Sequence, residues 1–116
     1  DYTNTFCYLM NVKTPEINCY KTNEFNHWMD RWKKRLNLKE ISSSKYLDLM
    51  RSSNPIVIPR NHKVEEALNA ANENNLELLK NLLTVLENPY TDQKNILDYQ
   101  CPLPITEKKF KTFCGT

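Results

Sequence analysis

The first half of the chain alternates apolar and polar residues with the period of an α-helix. A first apolar stripe runs from Tyr2 to Met10, and a loop containing Pro15 follows it. The strongest stripe comes next and falls within one arc of about 100°. Its members are Phe25, Trp28, Met29, Trp32 and Leu36. A turn at 42–44 then precedes a short helix that ends before Asn54.

We expect the strong stripe to face the core of the protein. Truncation of Trp28 or Trp32 should then be the most damaging change in this half, because each indole can bury a large apolar surface. A role in stacking on a cofactor is the less favoured interpretation, since the helical spacing alone accounts for both residues.

A proline-bounded connector, residues 54–62, separates this half from the next. Pro55 and Pro59 each push the preceding residue away from helical geometry, so the run is predicted to be extended and rigid. Asn61 is predicted to cap the following helix, because its side-chain oxygen can accept hydrogen bonds from the free N–H groups at the helix start.

The second half indicates two consecutive helices. Asn74-Asn75 can supply a left-handed residue and then a new cap, which is an economical join for an antiparallel pair. The wide apolar face of the later helix consists of Leu76, Leu79, Leu82, Leu83 and Leu86. We expect this helix to be the most buried element. Leu83→Ala should then cost roughly 2–5 kcal/mol of stability, whereas Lys34→Ala, on a polar face, should cost under about 0.5 kcal/mol.

These elements predict an all-α fold of about five helices in an irregular bundle with an extended C-terminal tail. Asn88-Pro89-Tyr90 ends the leucine-rich helix, and one more short helix is expected before Cys101. We expect a single helical domain over residues 1–116. Its parts are a first helical half at 1–53, the connector at 54–62, the helical pair with a short helix at 63–99, and the tail at 100–116.

Composition places the chain among ordinary globular proteins, with 40% hydrophobic and 26% charged residues. No apolar run approaches the roughly 18 residues that span a bilayer, so we expect a soluble chain with no membrane partner. The net charge of +2 is too small to indicate a nucleic-acid partner. One basic cluster, at 31–35 and Lys39, complements the negative end of a helix dipole, and an anion site there is the less favoured interpretation.

The four cysteines, at positions 7, 19, 101 and 114, form no Cys-x-x-Cys pair, so reduced thiols are expected. Cys7 and Cys19 should behave as small buried or half-buried hydrophobes. Of the two histidines, His27 should be solvated and His62 should bond locally at a helix start. A zinc site that combines them with cysteines is the less favoured alternative, because paired ligand spacing is absent.

The motifs around the connector resemble those of a known family. The chain carries Asn54-Pro55-x-x-Ile58-Pro59-Arg60-Asn61-His62-x-Val64-Glu65-x-Ala67-Leu68, then Asn88-Pro89-Tyr90, and it ends in Thr112-Phe113-Cys114-Gly115-Thr116. Its first residues, Asp1-Tyr2-Thr3-Asn4-Thr5-Phe6, resemble a segment well inside longer family members. Together these motifs resemble the C-terminal part of the selenoprotein O family, also called YdiU. The chain is therefore expected to be a C-terminal fragment of a longer protein.

The resemblance implies a parent protein with a kinase-like (pseudokinase) fold that transfers AMP from ATP to hydroxyl groups of other proteins, using Mg²⁺ or Mn²⁺. Such chemistry needs a phosphate cradle, a strand lysine and metal ligands. The single glycine, Gly115, excludes a glycine-rich phosphate loop in this chain. We therefore expect no catalytic, cofactor-binding or metal-binding residues here and no activity of the fragment alone. The resemblance also implies a cytoplasmic, bacterial protein.

Two sets of site residues follow. The resemblance implies a redox-regulatory role for Cys114, because family members carry cysteine or selenocysteine near this position. Arg60, Asn61 and His62 are candidates for contact with the upstream kinase-like core, although Arg60 as a local brace of the connector is the favoured interpretation. The expected partners are that core and the parent's protein substrates. The alternative function is a helical protein–protein interaction module.

Overall fold

The computed structural model describes residues 1–37 and 42–103. Its elements are α1 (Tyr2–Leu9), a 3₁₀ turn (Asn18–Lys21), α2 (Asn23–Asn37), α3 (Ser43–Ser53), α4 (Asn61–Asn72), α5 (Glu77–Glu87) and α6 (Ile96–Gln100). The described residues contain no strand, and the predicted all-α fold is confirmed. Lys39 and the tail from Pro104 onward lie outside the described residues.

The core is built around the connector. α3 ends at Ser53. The side-chain amide of the capping residue Asn54 donates to the carbonyl oxygen of Met50 at 2.9 Å, and the chain then runs irregularly through Ile56 and Val57, which are 3% and 2% exposed. The backbone N–H of Ile56 donates to the carbonyl of Pro89 at 2.7 Å. The buried cluster comprises Cys7, Met10, Ile56, Val57, Val85 and Ile96. α1, α5 and α6 therefore converge on one non-helical segment.

The join between α4 and α5 follows the sequence prediction. Asn74 has a positive φ of 64°, and the side-chain oxygen of Asn75 accepts a hydrogen bond from the Glu77 N–H at 3.1 Å. Asn75 also donates its own backbone N–H to the carbonyl of Ala70 at 2.9 Å. The left-handed residue and the new cap let α4 and α5 pack against each other as a pair.

The predicted cap at Asn61 is wrong. α4 already includes Asn61 as its first residue, the capping position belongs to Arg60, and no side chain makes a capping hydrogen bond. Arg60 has extended geometry, with φ −82° and ψ 129°, so the helix begins only at the next residue. Asn61 therefore stands one position too late to cap.

The predicted burial of α2 and α5 also needs correction. α2 contains no buried residue, and Trp28 remains 37% exposed, so this helix does not face the core. α5 buries Leu82 and Val85, whereas Leu83 is 52% exposed. The expected large cost of Leu83→Ala rested on the wrong face, since an apolar arc on a helix shows which sides are apolar but not which of them this chain covers.

Candidate functional site

A polar junction joins three separate parts of the chain, and we define it as Asp1, Asn4, Ile56, Arg60 and Gln100. Asp1 precedes α1 and caps it, since its Oδ1 accepts a hydrogen bond from the Asn4 N–H at 3.1 Å. Gln100 ends α6, and the connector supplies the other two residues. The fold therefore brings residues from the start, the middle and the end of the described chain to one place.

Hydrogen bonds link the three parts directly. The Asn4 Nδ2 donates to Asp1 Oδ2 at 3.1 Å and to the Gln100 carbonyl at 2.9 Å. The Gln100 Nε2 in turn donates to the Ile56 carbonyl at 2.7 Å. Asn4 is 0% and Gln100 1% exposed, so these bonds are shielded from water. Loss of either amide would leave buried partners without a hydrogen bond, which costs more than the bond itself contributes.

The charged members of the junction are Arg60 and Asp1. Arg60 Nη2 lies 2.7 Å from Asp1 Oδ2, and both side chains are 14% exposed. Neither Nη2 nor Nε makes an aligned hydrogen bond within the described part of the chain, so charge rather than hydrogen-bond direction holds this pair. Asn4 Oδ1 and Gln100 Oε1 are likewise buried without a partner there. The junction thus holds fixed polar groups with unused bonding capacity.

Burial shifts the pKa values of Arg60 and of the nearby Cys7 thiol. It lowers the pKa of Arg60, while the nearby thiols of Cys101 and Cys7 act in the opposite direction. Burial also raises the pKa of Cys7 from 9.0 to about 11, against the opposing pull of the Arg60 cation. The Cys7 Sγ lies 3.7 Å from the Ile56 carbonyl, so this thiol stays protonated as a weak donor inside the core.

The chain is similar along its whole length to curated bacterial proteins described as protein nucleotidyltransferase YdiU. The relative from Pelagibacter ubique is 45% identical over 116 residues, that from Nitrosococcus oceani 48% over 119, and that from Syntrophotalea carbinolica 44% over 117. In each case the match covers 100% of this chain and 24% of the relative, so the chain spans about a quarter of their length. No family model matches the chain.

The resemblance to the YdiU, or selenoprotein O, family is confirmed. The aligned region includes the whole junction, because the match with these relatives covers the whole chain. The junction is thus part of a YdiU-like sequence.

Apart from Arg60, the candidate site residues named from the sequence do not belong to the junction. Asn61 is exposed at the start of α4, and His62 beside it is half-buried. Contact of Arg60, Asn61 and His62 with a YdiU-like catalytic core stays a prediction, as does the redox role of Cys114, which lies outside the described residues. Cys7, Cys19 and Cys101 are free thiols. Cys19 is exposed, so the expectation of a buried or half-buried thiol there is wrong.

Sequence reasoning missed Asn4 and Gln100 as the centre of the junction. Asp1 followed by Asn4 three positions later is typical of a helix cap, and this spacing could have indicated the first half of the network. Gln100 gives no such signal, because its partners at Asn4 and Ile56 are 96 and 44 residues away along the chain.

The described residues contain no donor set for a metal ion. No group of three or more histidine, cysteine, aspartate or glutamate side chains in residues 1–37 and 42–103 lies close enough together to hold a metal ion. No helix in the same ranges combines the length and apolar character needed to cross a membrane.

Proposed function

We propose that this chain is the C-terminal helical extension of a YdiU-like protein adenylyltransferase, where it supports the kinase-like core and performs no chemistry alone. The observation that carries the proposal is the identity of 44–48% over the whole chain to proteins described as nucleotidyltransferases, about four times as long. The full protein would transfer AMP from ATP to protein hydroxyl groups with Mg²⁺ or Mn²⁺, in the cytoplasm of a bacterium.

The division of labour follows from the residues present. Phosphoryl and nucleotidyl transfer need a metal and a phosphate cradle, which the kinase-like part would supply. This chain offers the polar junction instead, whose hydrogen bonds fix α1, the connector and α6 relative to one another. The Arg60–Asp1 ion pair supports a bracing role for Arg60.

Cys114 would add redox control to this support. Its thiol and a cysteine of the core would lose two protons and two electrons to a small-molecule disulfide oxidant, and the resulting S–S bond would restrain the tail until reduced. Alkylation of the native protein, mapped by mass spectrometry, tests the first step: Cys114 should label well before buried Cys7. Resistance of reduced Cys114 to labelling would contradict the redox role.

Labelled-ATP assays test the main proposal. The full-length polypeptide that contains this chain should transfer labelled AMP to an acceptor protein in the presence of Mg²⁺, and the 116-residue chain should transfer none. Transfer by the short chain would disprove a purely supporting role. Absence of transfer by the full-length protein under all metal conditions would disprove the adenylyltransferase proposal.

A helical protein–protein interaction module remains the second candidate, because α2 carries an apolar arc without a single buried residue. Such a surface fits a separate target protein as well as a core in the same polypeptide. The sequence upstream of Asp1 distinguishes the two candidates, since kinase-like phosphate and metal motifs there would favour the enzyme.

A further inference from the structure

A continuous row of aromatic rings runs from α1 across α2 to α3, and we call it the aromatic ladder. Its members are Tyr8, Tyr20, Phe25, Trp28, Trp32 and Tyr46. Successive ring centroids are 4.5 to 6.4 Å apart, and the two indoles stack with planes 13° from parallel. These separations lie within the range of favourable aromatic pairs. The ladder is therefore an ordered surface rather than a set of scattered rings.

Most of the ladder lies outside the hydrophobic core. None of the six rings belongs to the buried cluster around the connector, and only Tyr20 is buried. Trp28 is 37% exposed, and Trp32 beside it is only half-buried. α2 is about 22 Å long at 1.5 Å per residue, and the described part of the chain covers its apolar arc only in part, through the rings of Tyr8, Tyr20 and Tyr46.

Cations border this arc on both sides. At 100° per residue, Arg31 and Arg35 fall along one edge of the arc and Lys33 along the other. All three side chains are exposed, and none forms an ion pair with any described residue. The C-terminal two turns of α2 therefore show an apolar centre with a positive rim, the arrangement of a protein-binding surface for a partner with acidic edges.

We propose that the α2 part of the aromatic ladder is the surface through which this chain docks on the remainder of its own polypeptide, against an apolar patch edged by carboxylates. The inference rests on the proposed function. The length of the relatives favours this occupant, since the chain spans only 24% of each and the remaining three quarters is tethered to it. Tethering keeps such a partner at high effective concentration, so a modest surface suffices.

A second exposed apolar surface lies on the α4–α5 pair. Leu68, Leu76 and Leu83 are 50%, 49% and 52% exposed, and we call them the leucine face. Lys80 and Glu87 border it on α5 with charges of both signs, so it carries no preference for an acidic or a basic partner. Tryptophan is also enriched in the energetically dominant centres of interfaces, whereas leucine is under-represented there. The leucine face therefore serves as the internal control.

Hydroxyl-radical footprinting of the intact full-length polypeptide tests the docking. Each side chain's labelling rate is compared with its own rate in the urea-unfolded protein. An uncovered Trp28, 37% exposed, should be slowed about threefold. Covered by the core, it should be slowed about tenfold or more, as for a residue at an interface centre. His27, exposed on the opposite side of α2, should show little protection and controls for general shielding of the helix.

The outcomes separate the docking surface from the proposed function. Protection of Trp28 and Trp32 with His27 still labelled supports the inference. Protection of Leu68 and Leu83 with Trp28 still labelled overturns it while leaving the supporting function intact. Absence of protection on both surfaces overturns both. Protection of Trp28 that disappears on dilution, together with a dimer by light scattering, would mean that a second copy is the occupant and would also overturn the inference.

Discussion

α1 and α2 are both amphipathic, yet this chain treats them in opposite ways. α1 has only eight residues and buries three of them, Asn4, Cys7 and Leu9. α2 has fifteen residues, a more pronounced separation of apolar and polar faces, and no buried residue. Length and amphipathic pattern therefore do not decide burial. Burial depends on what the rest of the described chain places against each helix.

The connector makes the difference for α1. Ile56 and Val57 lie against Cys7 and Met10 in one buried cluster, so α1 gains apolar contact from a segment about fifty residues away. α2 instead packs against the 3₁₀ turn beside it, and its aromatic side chains are members of the ladder. The first arrangement is the core of the chain, and the second leaves an apolar surface for a partner.

Two methionines compare these regions with matched chemistry. Met10, at the end of α1, is 0% exposed, whereas Met29 is half-buried on α2. Met10→Ala should lower the free energy of unfolding by about 2–5 kcal/mol, because it leaves a cavity in a closed core. Met29→Ala should cost less than about half as much, because solvent already reaches that site. Urea melts of the two variants measure both changes, and equal losses would mean that α2 belongs to the core after all.

The buried thiol of Cys7 on α1 should make the free energy of unfolding depend on pH. The pKa of Cys7 is raised from 9.0 to about 11, so the unfolded chain releases this proton at lower pH than the folded chain. The contribution of the buried Cys7 thiol to the free energy of unfolding is fully present below pH 9 and is lost as pH rises through about 11. At pH 10.5 the loss should be about 2 kcal/mol.

Urea melts under reducing conditions at pH 8.5 and pH 10.5 measure the loss. Cys7→Ala should remove this component, while Cys19→Ala should leave it in place, because Cys19 is exposed. The pKa of Tyr20 is also raised, mainly by burial, and both Cys7 and Cys19 add to that shift, so Cys19→Ala also controls for the loss of a cysteine beside Tyr20. An unchanged pH dependence in Cys7→Ala would show that the thiol does not titrate from inside the core.

The smallest expected changes in stability come from two ion pairs, one in the junction and one on the surface. Arg60→Met leaves the Asp1 carboxylate, 14% exposed, without its cation and should cost about 1–2 kcal/mol. Lys63→Met breaks the more exposed pair with Glu66 and should cost under about 0.5 kcal/mol. The Arg60 effect should persist in 1 M salt, where screening removes surface terms. If the loss of stability in Arg60→Met disappears in 1 M salt, the Arg60–Asp1 pair behaves like an exposed surface ion pair.

Local signals in the sequence were sufficient for several features. The periodicity located α1 through α5, and Asn74-Asn75 predicted the α4–α5 join, because a left-handed residue and a cap depend on nearby backbone geometry alone. The position of Pro59 did not show that Arg60 would extend the non-helical run by one residue and displace the cap from Asn61.

Features that depend on distant contacts were not predictable in this way. α5 packs against α4 with Leu82 buried and Leu83 exposed, and the Asn4–Gln100 hydrogen bond joins residues 96 positions apart. The exposure of Trp28 has a further cause, because its apolar arc is complete but the described segments that contact it leave every residue of α2 at least partly exposed. A helical pattern indicates a face for contact, and only the assembled chain shows whether that contact is made.

Calorimetric titration of the 116-residue chain with Mg-ATP tests the central claim most directly, which is that this chain contributes packing surfaces rather than nucleotide chemistry. The account predicts no heat of binding at micromolar to low millimolar nucleotide, because the described residues offer neither a metal-binding group nor a phosphate cradle. Saturable binding with a micromolar dissociation constant would contradict it and would place part of the nucleotide site within this chain.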